Sequence, residues 1–199
     1  MSLTITSGEQ GLHALLSRAV ALDEHALVRL QTSGETIDVF VTTPFEVLAS
    51  RRVTGMLSDA PEVFYARDLL GEPSARAALA AWPGALPPKD GYQELDIIPV
   101  DVVRELADQG RDLARQFSGP LGPPKSLLDQ TVLEVSNGSQ QASVTMRAIF
   151  TCTSLGLIPG IGSHPEIPRH LRVSKAGRWT RIDAPFGSVY QSQGLSLLV

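Results

Sequence analysis

Five cations crowd one short segment near the end of the chain: Arg169, Arg172, Lys175, Arg178 and Arg181, with Trp179 among them. Cationic side chains spaced along a hairpin suit the phosphates of a nucleic-acid backbone. An upstream helix presents Ser143, Thr145, Arg147 and Thr151, of which only Arg147 is charged. One cation is thin for reading base edges. Arg147, Arg169, Arg172, Lys175, Arg178 and Arg181 therefore form the candidate nucleic-acid set, and nucleic acid is an admissible partner rather than the favoured one.

The remaining reactive groups fall short of a site. None of His13, His25, His164 and His170 stands at ligand spacing from another His or from Cys. His164 and Glu166 supply two ligands on a glycine loop, whereas zinc wants three or four. Gly162-Ser163-His164 sets a serine beside a histidine, but sequence neighbours point apart, and no Gly-x-Ser-x-Gly elbow occurs. Cys152 sits mid-helix among apolar neighbours, where a thiol behaves as a small hydrophobe. As the one cysteine it excludes an internal disulfide and fits a reducing cytoplasm. No Walker loop is present, and Gly156, Gly160 and Gly162 do not open a helix after a strand. Asp23-Glu24 and Asp96 with Asp101 read as helix-entry and surface acids. No catalytic, metal-binding or cofactor-binding residue is assigned, and no cofactor is expected. An enzyme whose site is assembled from scattered residues stays as an alternative.

Several elements must position these groups. Ser7 and Gln10 have capping-box spacing, and Leu12, Leu15, Leu16, Ala19 and Leu22 predict an amphipathic helix over 8–22. Ile37, Val39 and Val41 alternate with Asp38, Phe40 and Thr42, and Val47 and Ala49 continue the alternation to Arg51-Arg52; these are strands of a meander. Val63 to Ala66 reads as a strand leading into a short helix. Pro83-Gly84, Pro87-Pro88 and Asp90-Gly91 mark a boundary, dividing the chain into lobes 1–88 and 89–199.

In the second lobe, 92–98 reads as a strand and Pro99 as the entry to a helix. Val103, Leu106, Gly110, Leu113 and Phe117 form that helix's apolar seam, with Arg104–Asp108 and Asp112–Arg115 as surface pairs. A helix or extended segment follows from Ser126, and Asn137-Gly138 turns. A nearly all-apolar helix is predicted over 142–156. A hairpin over 171–182 turns at Ala176-Gly177 through a three-residue loop, setting Val173 opposite Trp179 and Arg172 opposite Thr180. The fold class expected is α+β: an N-terminal helix with an antiparallel β meander, then a helical lobe ending in a hairpin, winged-helix-like.

Charge is uneven. Residues 1–119 hold 10 Lys+Arg against 17 Asp+Glu, and residues 120–199 hold 7 against 4, within a net charge of -4. An acidic front and a weakly basic back can attract one another within or between chains, or merely coexist. The tail is apolar, with Leu195, Leu197, Leu198 and Val199. It reads either as a final strand closing a sheet or as a self-association segment. No apolar run approaches a bilayer span and no secretory signal pattern is seen, so the expected setting is the cytoplasm, without membrane contact.

Gly91 to Asp96, Pro99 to Arg104, Ala176 to Arg181 and Ala184 to Tyr190, with Thr43-Pro44-Phe45 and Val47-Leu48, carry a resemblance. On them the chain looks like an uncharacterised protein family of high-GC Gram-positive bacteria. That resemblance implies no activity, cofactor or catalytic residue. The function expected is non-catalytic and works through a protein partner or self-association, a homodimer included. The alternative is a winged-helix DNA-binding regulator.

Overall fold

Wherever β-branched and aromatic residues alternate with polar ones, the chain extends into a strand with one apolar face. The computed structural model describes residues 2–58, 63–71, 82–117 and 123–193. The first strands and helices are β1 (Ser2–Ser7), α1 (Glu9–Leu22), β2 (Leu27–Ser33), β3 (Thr36–Thr42), β4 (Leu48–Ser58), β5 (Val63–Tyr65) and α2 (Ala66–Gly71). After them come β6 (Gln93–Pro99), α3 (Val100–Phe117), α4 (Lys125–Leu128), β7 (Thr131–Ser136), β8 (Gln141–Thr145) and α5 (Met146–Ser154). The last strands are β9 (His170–Ala176), β10 (Trp179–Ala184) and β11 (Gly187–Ser192).

Among the described residues, nine strands form one antiparallel sheet in the order β5-β2-β3-β4-β11-β10-β9-β6, with β1 also on β4. Strands β7 and β8 make a separate pair. On one face Ile37, Val39, Val41, Ala49, Val53, Leu171, Val173, Ile182 and Val189 are buried in a core shared with α1, α3 and α5. The other, outer face carries a second cluster of Phe40, Trp179 and Tyr190, on which Trp82, Leu86 and Tyr92 of the segment before β6 are packed. No helix of the described residues is long and apolar enough to cross a membrane.

This architecture overturns the winged-helix-like α+β reading. The cationic hairpin does not project: β9 pairs with β6 and β10 with β11, so both strands lie inside the sheet. The cause is apolar burial, since Leu171, Val173 and Ile182 are at most 2% exposed and would be wet on a free wing. The helix predicted over 142–156 is instead β8 followed by α5. Ala142 and Val144 are buried with Ser143 between them, a period of two that a mostly apolar run conceals.

Register and capping also differ. The hairpin closes through Gly177-Arg178, pairing Ala176 with Trp179, Val173 with Ile182 and Arg172 with Asp183. Gly177 has φ +56, as the first central position of a two-residue II′ turn requires. Opposite charges face each other in this register, which favours it over the three-residue loop. Helix α1 starts from Gly8 at φ +89 with no side-chain cap, because Ser7 belongs to β1. On α3, Val100, Val103, Ala107 and Gly110 are buried, while Phe117 is 65% exposed. Arg104 pairs with Asp101 rather than Asp108, and Arg115 with Asp112.

Candidate anion-binding sites on the two sides of the sheet

Alternation along β4 separates two neighbouring arginines. Arg52 joins Ser50 on the outer face, whereas Arg51 follows Ala49 and Val53 onto the helix-covered face. Two cation-lined cavities result.

The outer cavity, about 420 Å³, is lined by Arg52, Arg172, Arg181, Asp38, Asp183 and Tyr190 among others. Arg52 makes a two-pronged contact with Asp38, at 2.7 and 2.8 Å, across directly paired β3 and β4 positions. Such a fork fixes the guanidinium plane. Arg181 Nε lies 3.0 Å from Asp183, close enough for an ion pair though not aligned as a hydrogen bond. Its guanidinium also stacks 4.1 Å from the Tyr92 ring, a cation–π contact. The Ser188 hydroxyl donates to Asp183 at 2.6 Å. Burial pushes the Tyr92 phenol well above its usual range, with the nearby Tyr190 adding to the shift. Arg172 is exposed and, among the described residues, its guanidinium forms no hydrogen bond or ion pair.

The second cavity, a cleft of about 630 Å³, lies on the helix side. Strand β1 covers β4 from Thr54 to Ser58 and β11 covers it from Leu48 to Ser50. Among the described residues, Arg51 to Val53 therefore have no strand partner on that edge. Arg51 donates to the Phe186 carbonyl at 2.6 Å, and Arg18 donates to the Leu155 and Gly156 carbonyls at 3.1 and 3.5 Å. Burial lowers the Arg51 pKa, with no offsetting carboxylate among the described residues. Glycines seat both groups: a Cβ on Gly11 would lie 2.1 Å from the Arg51 guanidinium carbon, and one on Gly156 would lie 2.0 Å from Arg18.

The far wall of this cleft is held by further cations. Arg169 donates to the Gly160 and Ser163 carbonyls at 3.1 and 3.0 Å, and Arg104 donates to the Pro159 carbonyl. The Phe186 N–H donates to the Leu157 carbonyl at 3.0 Å, tying this wall to the β10–β11 turn.

The residues singled out by sequence thus disperse. Arg172 and Arg181 meet in the outer cavity, and Arg169 braces the cleft. Lys175 donates to the Gln141 carbonyl at 2.7 Å, and Arg178 lies 5.7 Å over the Trp179 ring. Arg147 is no reader of bases: it is 7% exposed and contacts Asp129 at 2.7 Å, the Phe45 carbonyl at 2.9 Å and Glu46 at 3.2 Å. That hydrogen bond holds the Asp129 carboxyl below its ordinary range. Glu46 itself takes φ +58 in the β3–β4 turn that Arg147 grips. Leu195, Leu197, Leu198 and Val199 lie outside the described residues. His164 and Glu166 approach to 3.7 Å, and no group of three or more metal-binding side chains occurs among the described residues. Burial pushes the Cys152 thiol up to about 12.

Arg18, Arg51, Gly11 and Gly156 went unrecognised. A signal existed: the alternation Val47, Ala49, Arg51, Val53 places a cation on an apolar strand face. Helix α3 keeps its carboxylates to itself, with Glu105 accepting from Gln109. Helix α3 has four carboxylates and three arginines, and Arg104, Arg111 and Arg115 all pair with the acid three residues before.

A family model described as Domain of unknown function (DUF8185) matches residues 87–196, more than half of the chain. Another, Domain of unknown function (DUF8010), matches residues 2–88. No curated protein matches the sequence. Among solved structures, a DNA polymerase sliding clamp from Pseudomonas aeruginosa is similar at TM-score 0.54 and 14% identity, covering 99% of this chain and 66% of that one. The DNA polymerase III beta of Caulobacter crescentus is similar at TM-score 0.56 and 12% identity, covering 96% and 65%. A Helicobacter pylori beta clamp bound to a DNA ligase peptide gives TM-score 0.50 and 12% identity, covering 98% and 69%. The chain spans about two thirds of the length of the clamps it matches first. At these identities the likeness establishes the fold alone.

Proposed function

The chain belongs to the family described as Domain of unknown function (DUF8185), and we propose that it is a non-catalytic cytoplasmic protein that works by protein–protein contact, self-association included. One observation carries this reading: among the described residues the Arg172 guanidinium forms no hydrogen bond or ion pair in the outer cavity, while Asp38 and Asp183 pre-orient Arg52 and Arg181 beside it. Pre-oriented guanidinium groups around a free one suit a carboxylate-bearing side chain, and fixing them in advance lowers the cost of binding. The cavity's size admits a peptide side chain rather than a domain. A clamp of similar fold is bound to a DNA ligase peptide, which agrees with a segment of another protein as occupant. A second copy is also eligible, since residues 1–119 carry the acidic excess.

A fluorescent Glu-rich peptide titrated into the protein tests the contact. Saturable binding that weakens with salt and is lost in Arg172→Glu is expected; no binding at low ionic strength overturns the reading. Sedimentation with and without residues 194–199 tests self-association. A loss of dimer on truncation is expected, and a strict monomer in both forms removes that part.

A further inference from the structure

The outer cavity does not account for the cleft beneath α1, whose two cations meet no carboxylate among the described residues. From the geometry we infer that this cleft binds a small organic anion, an apolar body ending in a carboxylate or a phosphate, with Arg18 and Arg51 holding the anionic end. Arg51 and Phe186 border both cavities, but the inference stands apart from the protein-contact reading because it needs Arg18 and Arg51 and makes no use of Arg172.

Charge balance is the first ground. A guanidinium stays protonated at any ordinary pH, and desolvating one without a counter-charge is costly. That cost falls on Arg51, which is half-buried, and not on Arg18, which is exposed; buried Arg147, by contrast, has Asp129. Arg18 and Arg51 have only carbonyl oxygens, which satisfy one or two of the five N–H groups each possesses. The remaining donors are free to take anionic oxygens.

The shape of the cleft is the second ground. About 630 Å³ lies within the range of small-molecule sites. Half-buried Ile158 and Phe186 give it accessible apolar surface over Leu15, Leu155 and Leu157, which are at most 2% exposed, and Ser163 and Gln10 add neutral polar groups. An inorganic anion alone would leave that apolar surface wet, so the occupant needs a hydrocarbon portion. Gly11 and Gly156 are seats that a Cβ would fill. The far wall, pinned by Arg169 and Arg104 through its carbonyls, is already formed without ligand.

The experiment is a calorimetric titration of the full chain with octyl phosphate, octanoate and inorganic phosphate as separate probes. Saturable binding of one or both alkyl anions is expected, at least tenfold tighter than inorganic phosphate. The stronger alkyl probe distinguishes a phosphate from a carboxylate ligand. Arg51→Gln and Arg18→Gln should each weaken that binding by about tenfold, while Arg115→Gln, at an exposed α3 position that lines neither cavity, leaves it unchanged. Should Arg51→Gln fail to fold, Gly11→Ala serves instead. Alanine favours the helix yet occupies the guanidinium's seat, so binding should fall about tenfold with folding intact. Binding of no probe at millimolar concentration overturns the inference. So does equal affinity for phosphate and its octyl ester, or affinity indifferent to both Arg51→Gln and Gly11→Ala.

Discussion

The two faces of the sheet treat arginine in opposite ways. On the outer face Arg52 is met by Asp38 of the neighbouring strand and Arg181 by Asp183 of its own. On the helix side Arg51 and Arg18 are met only by carbonyls. The first arrangement holds a surface in a fixed geometry around Arg172, which has no ion pair among the described residues. The second leaves positive charge looking for a counter-ion. Position in the alternating strand makes the difference, since one residue's step along β4 carries a guanidinium from one regime to the other.

A third arginine sets the scale against which this contrast can be broken. Arg147 is both buried and matched, so Arg147→Met should lower unfolding free energy most, by about 2 kcal/mol in urea titration. Its loss releases the Phe45 carbonyl and the Asp129 and Glu46 carboxylates. A cost below that of Arg52→Gln would contradict this ranking.

Acid titration sharpens the same point. The Arg147 hydrogen bond depresses the Asp129 pKa in the folded state. The stability it contributes is therefore complete above the unfolded carboxylate value and disappears as pH falls through the folded one. Asp129→Asn should flatten the acid limb of the stability profile and leave neutral pH as its best range. An unchanged acid limb would sink the assignment.

Smaller effects separate the two faces. Arg52→Gln should cost roughly 0.5–1 kcal/mol, shrinking in 1 M salt, because its side chain is 62% exposed. Arg51→Gln should change stability by less than about 0.5 kcal/mol, since removing an unmatched cation forfeits one carbonyl hydrogen bond and relieves its desolvation. A large loss there would mean that Arg51 is a structural strut, and the contrast would collapse.

Much of the first half could be read from residue spacing, because Ile37, Val39 and Val41 alternate cleanly and Leu12, Leu15 and Leu16 recur at helical spacing. The second half resisted for a physical reason. Strand β8 keeps a period of two, with Ala142 and Val144 buried around Ser143. Five residues running straight into apolar α5 are too short to show it, so Gln141 to Thr145 merged with α5 into one apparent helix. Likewise, hairpin chemistry announces a turn but not its surroundings. Nothing local in Leu171 to Ile182 says that both strands gain further partners, β6 and β11, from distant sequence. The cleft was hidden for a related reason, since Arg18, Arg51 and Gly156 converge only once β4, α1 and the loop after α5 are assembled. Arg51 on an apolar strand face was the one clue available beforehand.

Arginine side-chain resonances report the contrast most directly. In an Nε–Hε correlation spectrum, titration with the tighter of octyl phosphate and octanoate should shift Arg18 and Arg51 in parallel and leave Arg52 and Arg181 in place. Equal movement of all four, or movement of Arg52 first, would contradict the account.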